Sequence, residues 1–153
     1  MQRLTQHYDR LTNALSGRFT ESLALLLTRL ALAGVFWRSG RTKVVEGTWF
    51  QIDETQYYLF EEFGLPVSPE IMVPMTMYAE FLIPILVASG ILTRLSAAAL
   101  LVMTLVIQFL IFPEAWWAVH SLWAAMALVL ISRGGGIFSV DAAANKYVTK
   151  LRN

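Results

Sequence analysis

The chain contains no cysteine, few charges and two histidines. Without cysteine, dithiol chemistry, thiolate metal ligation and iron–sulfur clusters are excluded. Charged residues make up 15% of the chain, whereas soluble domains usually carry about 25%. No basic patch interleaved with aromatic residues is present, so we do not expect nucleic-acid binding. His7 and His120 lie far apart in the predicted topology, and we predict no metal site.

Apolar residues dominate the rest of the sequence. They make up 56% of it, and the mean hydropathy is +0.54. Four long apolar runs occupy residues 19–37, 71–89, 95–112 and 115–132. Each run is long enough to cross a hydrocarbon core of ~30 Å at about 1.5 Å per residue. The sequence therefore predicts an all-α fold, with residues 1–153 forming one integral membrane domain built as a four-transmembrane-helix bundle.

Two further segments predict amphipathic helices that lie along a membrane interface. The N-terminal segment carries one apolar stripe, formed by Leu4, Tyr8, Leu11 and Leu15. In the loop between the first two spans, Thr48 and Gln51 form a capping-box start, and Gly64 ends the predicted helix. One face of that loop helix carries Trp49, Ile52, Leu59, Phe60 and Phe63. Whether this helix is a lid over the bundle or an ordinary interfacial helix stays open.

The basic residues predict the orientation in the membrane. One side of the predicted bundle carries Arg3, Arg10, Arg18, Arg94, Arg133, Lys146, Lys150 and Arg152. The other side carries only Arg38, Arg41 and Lys43. Because cytoplasmic loops are enriched in Lys and Arg, we predict a multi-pass protein of the bacterial inner membrane with both termini in the cytoplasm. The acidic loop 46–70 then faces the periplasm.

Ionisable residues within the apolar runs are the first candidates for a functional site. Arg29 lies at the centre of the first run and Glu80 at the centre of the second. Charges at that depth are costly, so they normally face the bundle interior and find a partner. We therefore predict a structural ion pair between Arg29 and Glu80. Whether the pair also contacts a ligand stays open.

A polar pocket near the periplasmic side is the second prediction. A short hairpin joins the third and fourth runs, so Gln108 and His120 should reach a similar depth. The candidate ligand-binding residues are Arg29, Lys43, Glu80, Gln108 and His120, with Trp37 and Trp123 as aromatic walls. Aromatic faces combined with polar side chains suit a quinone headgroup or another small amphiphile. A histidine that only bridges helices is the alternative. No catalytic residue and no intrinsic cofactor are predicted.

Three segments of the chain resemble the DoxX family of small membrane proteins. The first runs from Arg29 through Gly40 to Lys43, and the second from Glu80 through Gly90 to Thr93 and Arg94. The third is the glycine-rich segment 134–141, which closes with Ser139 and Asp141. The resemblance implies a four-helix transmembrane bundle with both termini inside. It also implies a link to membrane redox complexes, such as a thiosulfate:quinone oxidoreductase, or to oxidative-stress defence.

Three hypotheses about function follow. The leading one is a quinone- or small-amphiphile-binding subunit of a membrane redox or stress-defence complex, and any enzymatic role would be that of an accessory subunit of a quinone-linked oxidoreductase. The second is a non-catalytic assembly module that docks a periplasmic partner through the acidic 46–70 loop. The third and most remote is a small transporter, because only one span is clearly interrupted by proline. A homo-oligomer is compatible with all three.

Overall fold

The computed structural model describes residues 17–152. The predicted N-terminal interfacial helix lies outside these residues. The helices are α1 Arg18–Arg41, α2 Thr55–Glu62, α3 Pro69–Ser89, α4 Thr93–Leu110, α5 Ser121–Arg133 and α6 Val140–Arg152. A 3₁₀ turn at Pro113–Ala115 and a π-helical turn at Trp116–His120 lead into α5. Within residues 17–152 the only β-type pairing is an isolated antiparallel bridge between Val44 and Ile52.

The predicted membrane architecture is confirmed. Helices α1, α3 and α4 and the continuous helical segment Pro113–Arg133 are each long and apolar enough to cross a membrane. Helix α1 packs mainly against α3, and α4 packs mainly against α5. The core between them is apolar and includes Leu25, Leu32, Phe36, Leu100 and Leu130. Other large apolar side chains point outward, as expected where lipid takes the place of water. They include Leu27, Leu82, Val102 and Phe109.

The loop helix begins later than the sequence suggested. Thr48 does not cap a helix, because its hydroxyl donates to the Val45 carbonyl within a turn that the Val44–Ile52 bridge closes. Helix α2 instead starts at Thr55, whose backbone N–H and hydroxyl both donate to the Asp53 carboxylate at 2.9 and 2.7 Å. The Asp53 side chain thus forms an Asx-type hydrogen bond at the start of α2. No helix begins at the capping box predicted from Thr48 and Gln51. The predicted end is close to the observed one, at Glu62.

A C-terminal helix was not predicted. Helix α6 follows the glycine-rich segment 134–136, and the hydroxyl oxygen of Ser139 accepts a hydrogen bond from the backbone N–H of Ala142. This cap is an ordinary helix start. We call the end of the bundle that carries α2 the α2 end, and the opposite end, from which α6 extends, the α6 end.

Candidate functional site

The register between α1 and α3 decides which buried charges meet. A Cβ atom placed on Gly40 would lie 3.2 Å from the Cβ of Glu80, so these two residues are level with one another. Arg29 precedes Gly40 by eleven residues, which is about 16 Å along the helix axis at 1.5 Å per residue. The predicted Arg29–Glu80 ion pair is therefore wrong. Gly40 lies near the end of α1, which continues to Arg41, whereas Glu80 lies near the middle of α3. The centres of the two apolar runs therefore lie at different depths.

Glu80 pairs with Lys43 instead. The Lys43 ammonium donates to Glu80 Oε2 at 2.7 Å, and the two side chains are only 9% and 2% exposed. Ser39, one turn before Lys43, donates its hydroxyl to Glu80 Oε1 at 3.1 Å. Charge-assisted bonds of this kind are about twice as strong as neutral ones. They hold both carboxylate oxygens of Glu80 in place at the α2 end.

The close approach of Gly40 explains how this cluster fits between two helices. A Cβ atom at Gly40 would also lie 3.3 Å from the backbone oxygen of Glu80. Pro84, four residues after Glu80, has no N–H to donate to that oxygen. Small residues let transmembrane helices come close together. Gly40 thus lets α1 lie directly against the Glu80 backbone, whose carbonyl lacks its usual helical donor because of Pro84.

Gln108 and His120 form a second buried polar pair. His120 Nδ1 lies 2.7 Å from Gln108 Oε1, and Gln108 Nε2 donates to the Pro113 carbonyl at 2.7 Å. Because a carbonyl only accepts, the Gln108 amide nitrogen must face Pro113, and its oxygen must face the imidazole. His120 Nδ1 therefore carries a proton, and Nε2 is an acceptor when the ring is neutral. No residue within 17–152 donates a hydrogen bond to Nε2.

A cavity of about 600 Å³ connects the two polar pairs. Its walls come from α1, from the first half of α3 and from the second half of α4, where these two helices are farthest from the turn that joins them. Helix α2 borders the cavity at the α2 end of the bundle, where Leu59 and Phe60 line it. The lining is mainly apolar, with polar groups supplied by Ser39, Thr42, Lys43, Gln56, Thr76, Glu80 and His120. A mostly apolar cleft with a few polar groups is the usual form of a small-molecule site.

Three exposed apolar side chains form part of the cavity wall. Met75 on α3 and Val102 and Val106 on α4 line it. The same three side chains are exposed, at 55%, 60% and 38%. These exposed side chains of α3 and α4 border the cavity at the level of the membrane-crossing helices.

The candidate residues divide into two groups. Lys43, Glu80, His120 and Trp123 line the cavity. Arg29, Gln108 and Trp37 are not part of its lining. Gln108 lies behind His120 and fixes its ring. The Trp37 ring packs against those of Trp49 and Phe81 at 6.3 and 5.1 Å.

Sequence reasoning missed several lining residues. Ser39 could have been found, because it lies four residues before Lys43, in the last turn of α1. The methionines Met72, Met75 and Met103 carry no comparable signal, since any apolar residue of a span can face lipid or a cavity.

Arg29 belongs to a separate polar cluster at the α6 end. Its guanidinium donates to the carbonyls of Ala88 at 2.9 Å and Phe138 at 2.7 Å. Nε of Arg29 is buried and has no hydrogen-bond partner among the described residues. Arg29 thus joins α1 to the end of α3 and to the segment before α6.

Asp141 completes this cluster. Its carboxylate accepts hydrogen bonds of 2.8 Å from the N–H groups of Leu92 and Thr93 and from the Thr93 hydroxyl. Burial raises the pKa of Asp141, but these hydrogen bonds and the charge of Arg29 outweigh it, so the pKa lies below its ordinary value. Asp141 caps the start of α4 from across the bundle. The cluster is a structural connection between helix ends.

Comparisons with known proteins place the chain in a family. A family model described as DoxX matches residues 24–113, which are 90 of the 153 residues. An uncharacterized protein of Haemophilus influenzae is 29% identical over 144 residues, covering 84% of this chain and 88% of its own length. No solved structure matches at a significant level. The matched region includes most of α1 and all of α3 and α4, and thus most of the cavity, and the chain belongs to the DoxX family of multi-pass membrane proteins.

Proposed function

We propose that this protein binds a quinone, or a flat amphiphile of the same chemistry, in the 600 Å³ cavity and serves as a binding subunit of a membrane redox complex. One observation carries the proposal: an apolar cavity in the membrane region presents a free acceptor nitrogen and a buried cationic donor. The acceptor is His120 Nε2, and the donor is the Lys43 ammonium.

The polar groups match a ligand that carries both carbonyl and hydroxyl oxygens. An ammonium has three N–H donors. Two of those of Lys43 have partners, at 2.7 Å to Glu80 and 3.4 Å to Ser39. The third is available for a carbonyl oxygen. A hydroxyl of the reduced ligand would donate to His120 Nε2, and Glu80 offers a carboxylate in the same lining.

The size and the lining of the cavity support the same ligand class. Binding clefts for small molecules measure roughly 300–1,000 Å³, and this cavity lies within that range. The Trp123 ring, whose centroid is 5.1 Å from that of His120, provides an aromatic wall for a planar headgroup. An apolar tail could pass between α3 and α4 into the bilayer, beside Met75 and Val102.

The chain supplies binding groups, and the electrons come from elsewhere. It has no cysteine, and no group of three or more metal-ligating side chains converges within residues 17–152. Redox chemistry would rest on the bound quinone and on a partner protein that oxidises or reduces it. The role we propose is therefore that of an accessory subunit.

We place the protein in the bacterial inner membrane with both termini in the cytoplasm. Among the described residues, the α6 end carries Arg18, Arg94, Arg133, Lys146, Lys150 and Arg152. The α2 end carries Arg38, Arg41 and Lys43. This bias supports a cytoplasmic α6 end. The cavity then lies near the periplasmic side.

Quinone binding can be tested with decylubiquinone and the protein in lipid nanodiscs. Quenching of tryptophan fluorescence reports binding, because Trp123 lies in the cavity wall. In His120→Phe the ring bulk stays and the acceptor is lost, so we expect affinity to fall roughly fivefold, the value of one neutral hydrogen bond. In Lys43→Met a charged donor is lost, and we expect a fall of about tenfold or more.

A matched control is Trp117→Phe, because Trp117 is 86% exposed and does not line the cavity. Its affinity should equal that of the wild type. Mass spectrometry of lipid extracts from the purified wild type should also detect retained quinone. The proposal is overturned if extracts contain bulk lipid only and decylubiquinone produces no saturable quenching.

A second candidate function rests on the exposed acidic surface of the α2 end. Glu54, Glu61 and Glu70 border a surface groove together with Tyr57 and Tyr58. None of these acids forms an ion pair with another residue within 17–152. The tyrosines add the kind of amphipathic contact area that is enriched at interfaces. We propose that this groove docks a basic periplasmic partner.

The test of docking is co-purification of a stoichiometric partner after cross-linking in membranes. Replacing Glu54, Glu61 and Glu70 by Gln should abolish recovery of that partner. The matched variant Glu21→Gln changes an exposed acid at the α6 end and should leave recovery unchanged. Equal recovery from the triple variant and the wild type would rule out docking through this surface.

A further inference from the structure

We propose that helix α6 lies in the headgroup region of an anionic phospholipid leaflet, held there by an apolar stripe and flanking basic side chains. The proposal concerns the α6 end of the bundle, so it is independent of the ligand cavity. The occupant that we assign to this helix face is the lipid leaflet itself.

The apolar stripe follows from the helical spacing. Residues three and four apart lie on the same helix face, and that face of α6 carries Val140, Ala144, Tyr147, Val148 and Leu151. Tyr147 is 67% exposed and Leu151 71% exposed. No residue of α6 is buried, so the described part of the chain leaves this face uncovered.

Charged side chains border the stripe on both sides. Lys146 and Lys150 follow one edge of it, and Arg152 lies towards the other. Thr149 points to the opposite face. A helix with an apolar face and basic flanks typically lies in the interface plane, with its apolar side at the boundary between headgroups and acyl chains. The long stems of Lys and Arg reach from there to the phosphates.

The start of α6 is held at the level where the membrane-crossing helices end. The Asp141 N–H donates to the Gly90 carbonyl at 3.0 Å, and its carboxylate holds the first turn of α4. The first turn of α6 is thereby anchored where four membrane-crossing segments end. Exposed apolar side chains continue around the same end at Phe19, Leu92 and Leu95. The apolar stripe of α6 begins next to this belt, at Val140.

The charge of the α6 end selects an anionic leaflet. Its basic residues within 17–152 are Arg18, Arg29, Arg94, Arg133, Lys146, Lys150 and Arg152, and its acidic residues are Glu21 and Asp141. Seven positive charges against two negative charges leave a net charge of +5. Each basic side chain near an anionic surface strengthens interfacial binding roughly fivefold. The three basic residues of α6 alone give a factor on the order of a hundred.

The absence of cysteine allows a direct test with one spin label at a time. We would label Tyr147→Cys on the stripe and Thr149→Cys on the opposite face of the full chain. Each would be studied in nanodiscs of phosphatidylcholine alone and of phosphatidylcholine with phosphatidylglycerol. Dissolved oxygen partitions into lipid, whereas a nickel chelate stays in water. With phosphatidylglycerol present, the label at 147 should collide with oxygen and be protected from nickel, and the label at 149 should show the reverse.

Charge variants separate the electrostatic contribution. Lys146→Gln, Lys150→Gln and Arg152→Gln in one chain should weaken interfacial binding on the order of a hundredfold and expose the label at 147 to nickel. Arg38→Gln removes a basic residue at the other end and should change neither label.

Two outcomes would overturn the proposal. Nickel accessibility of the label at 147 in phosphatidylglycerol discs would mean that the stripe faces water. Exclusion of both reagents from that label would mean that protein covers the stripe, either a second copy or another part of this chain. Decylubiquinone binding in the same discs reports separately on the cavity, so failure of one proposal does not imply failure of the other.

Discussion

The Lys43–Glu80 pair offers the sharpest test of the structure. Both side chains are almost fully buried, and the ammonium lies 2.7 Å from the carboxylate. Replacing either partner alone leaves an uncompensated charge inside the bundle, which costs about 3–5 kcal/mol. Replacing both by apolar residues of similar size is often close to neutral. We therefore expect Lys43→Met and Glu80→Met each to lower the free energy of unfolding by about 3 kcal/mol or more.

The double variant measures the interaction directly. Lys43→Met/Glu80→Met should be more stable than either single variant. This requires a coupling larger than the single-variant cost of about 3 kcal/mol, and about 6 kcal/mol for a double variant as stable as the wild type. Unfolding can be followed by circular dichroism during titration of mixed micelles with dodecyl sulfate. This cycle tests the buried pair without reference to any ligand.

An exposed ion pair in the same chain provides the control. Arg133 and Glu21 lie 3.1 Å apart, but their side chains are 67% and 46% exposed. Such surface pairs contribute about 0–1 kcal/mol, so Arg133→Gln should change the stability little. A coupling near zero between Lys43 and Glu80, similar to that of the surface pair, would refute the buried pairing.

Four further predictions concern single positions. Gly90 has φ +74°, and a Cβ atom there would clash with Nη1 of the buried Arg29, so Gly90→Ala should lower stability by about 2–4 kcal/mol in thermal unfolding. Gly34→Ala, where a Cβ meets no atom within 4 Å, should be neutral or stabilising by up to about 1 kcal/mol. The lowered pKa of Asp141 adds stability that is present above the unfolded pKa of about 3.9 and is lost as the pH falls through the folded pKa. Melting temperatures between pH 3 and pH 7 should therefore vary less in Asp141→Asn than in the wild type. Gln108→Leu should cost about 1–3 kcal/mol in thermal unfolding, because Nδ1 of His120 loses its buried acceptor, and an unchanged melting temperature would contradict the assigned tautomer.

The meeting of Gln108 and His120 was predictable because it is nearly local. A short hairpin at 111–115 joins the two membrane segments that carry them. Few residues lie between the two side chains, so the depth of one largely fixes the depth of the other. The pair itself, at 2.7 Å, agrees with that expectation of similar depth.

The partner of Glu80 was not predictable in the same way. Helices α1 and α3 are joined by residues 42–68, a connection long enough to permit several registers. Centring each apolar run on the membrane matched Arg29 with Glu80. The observed register matches Gly40 with Glu80, because close packing at a glycine is favourable there and α1 extends to Arg41.

The lengths of the apolar runs and the positions of the basic residues are properties of the chain itself. From the apolar runs, the sequence alone determined an all-α membrane bundle with four spans. Hydrophobic burial depends on each segment separately, so no tertiary information was needed. The tertiary structure alone decided the Lys43–Glu80 and Arg29–Phe138 contacts, the cavity between α3 and α4, and the anchoring of α6 by Asp141. Each of these depends on the register of helices that are distant in sequence, and backbone packing sets that register.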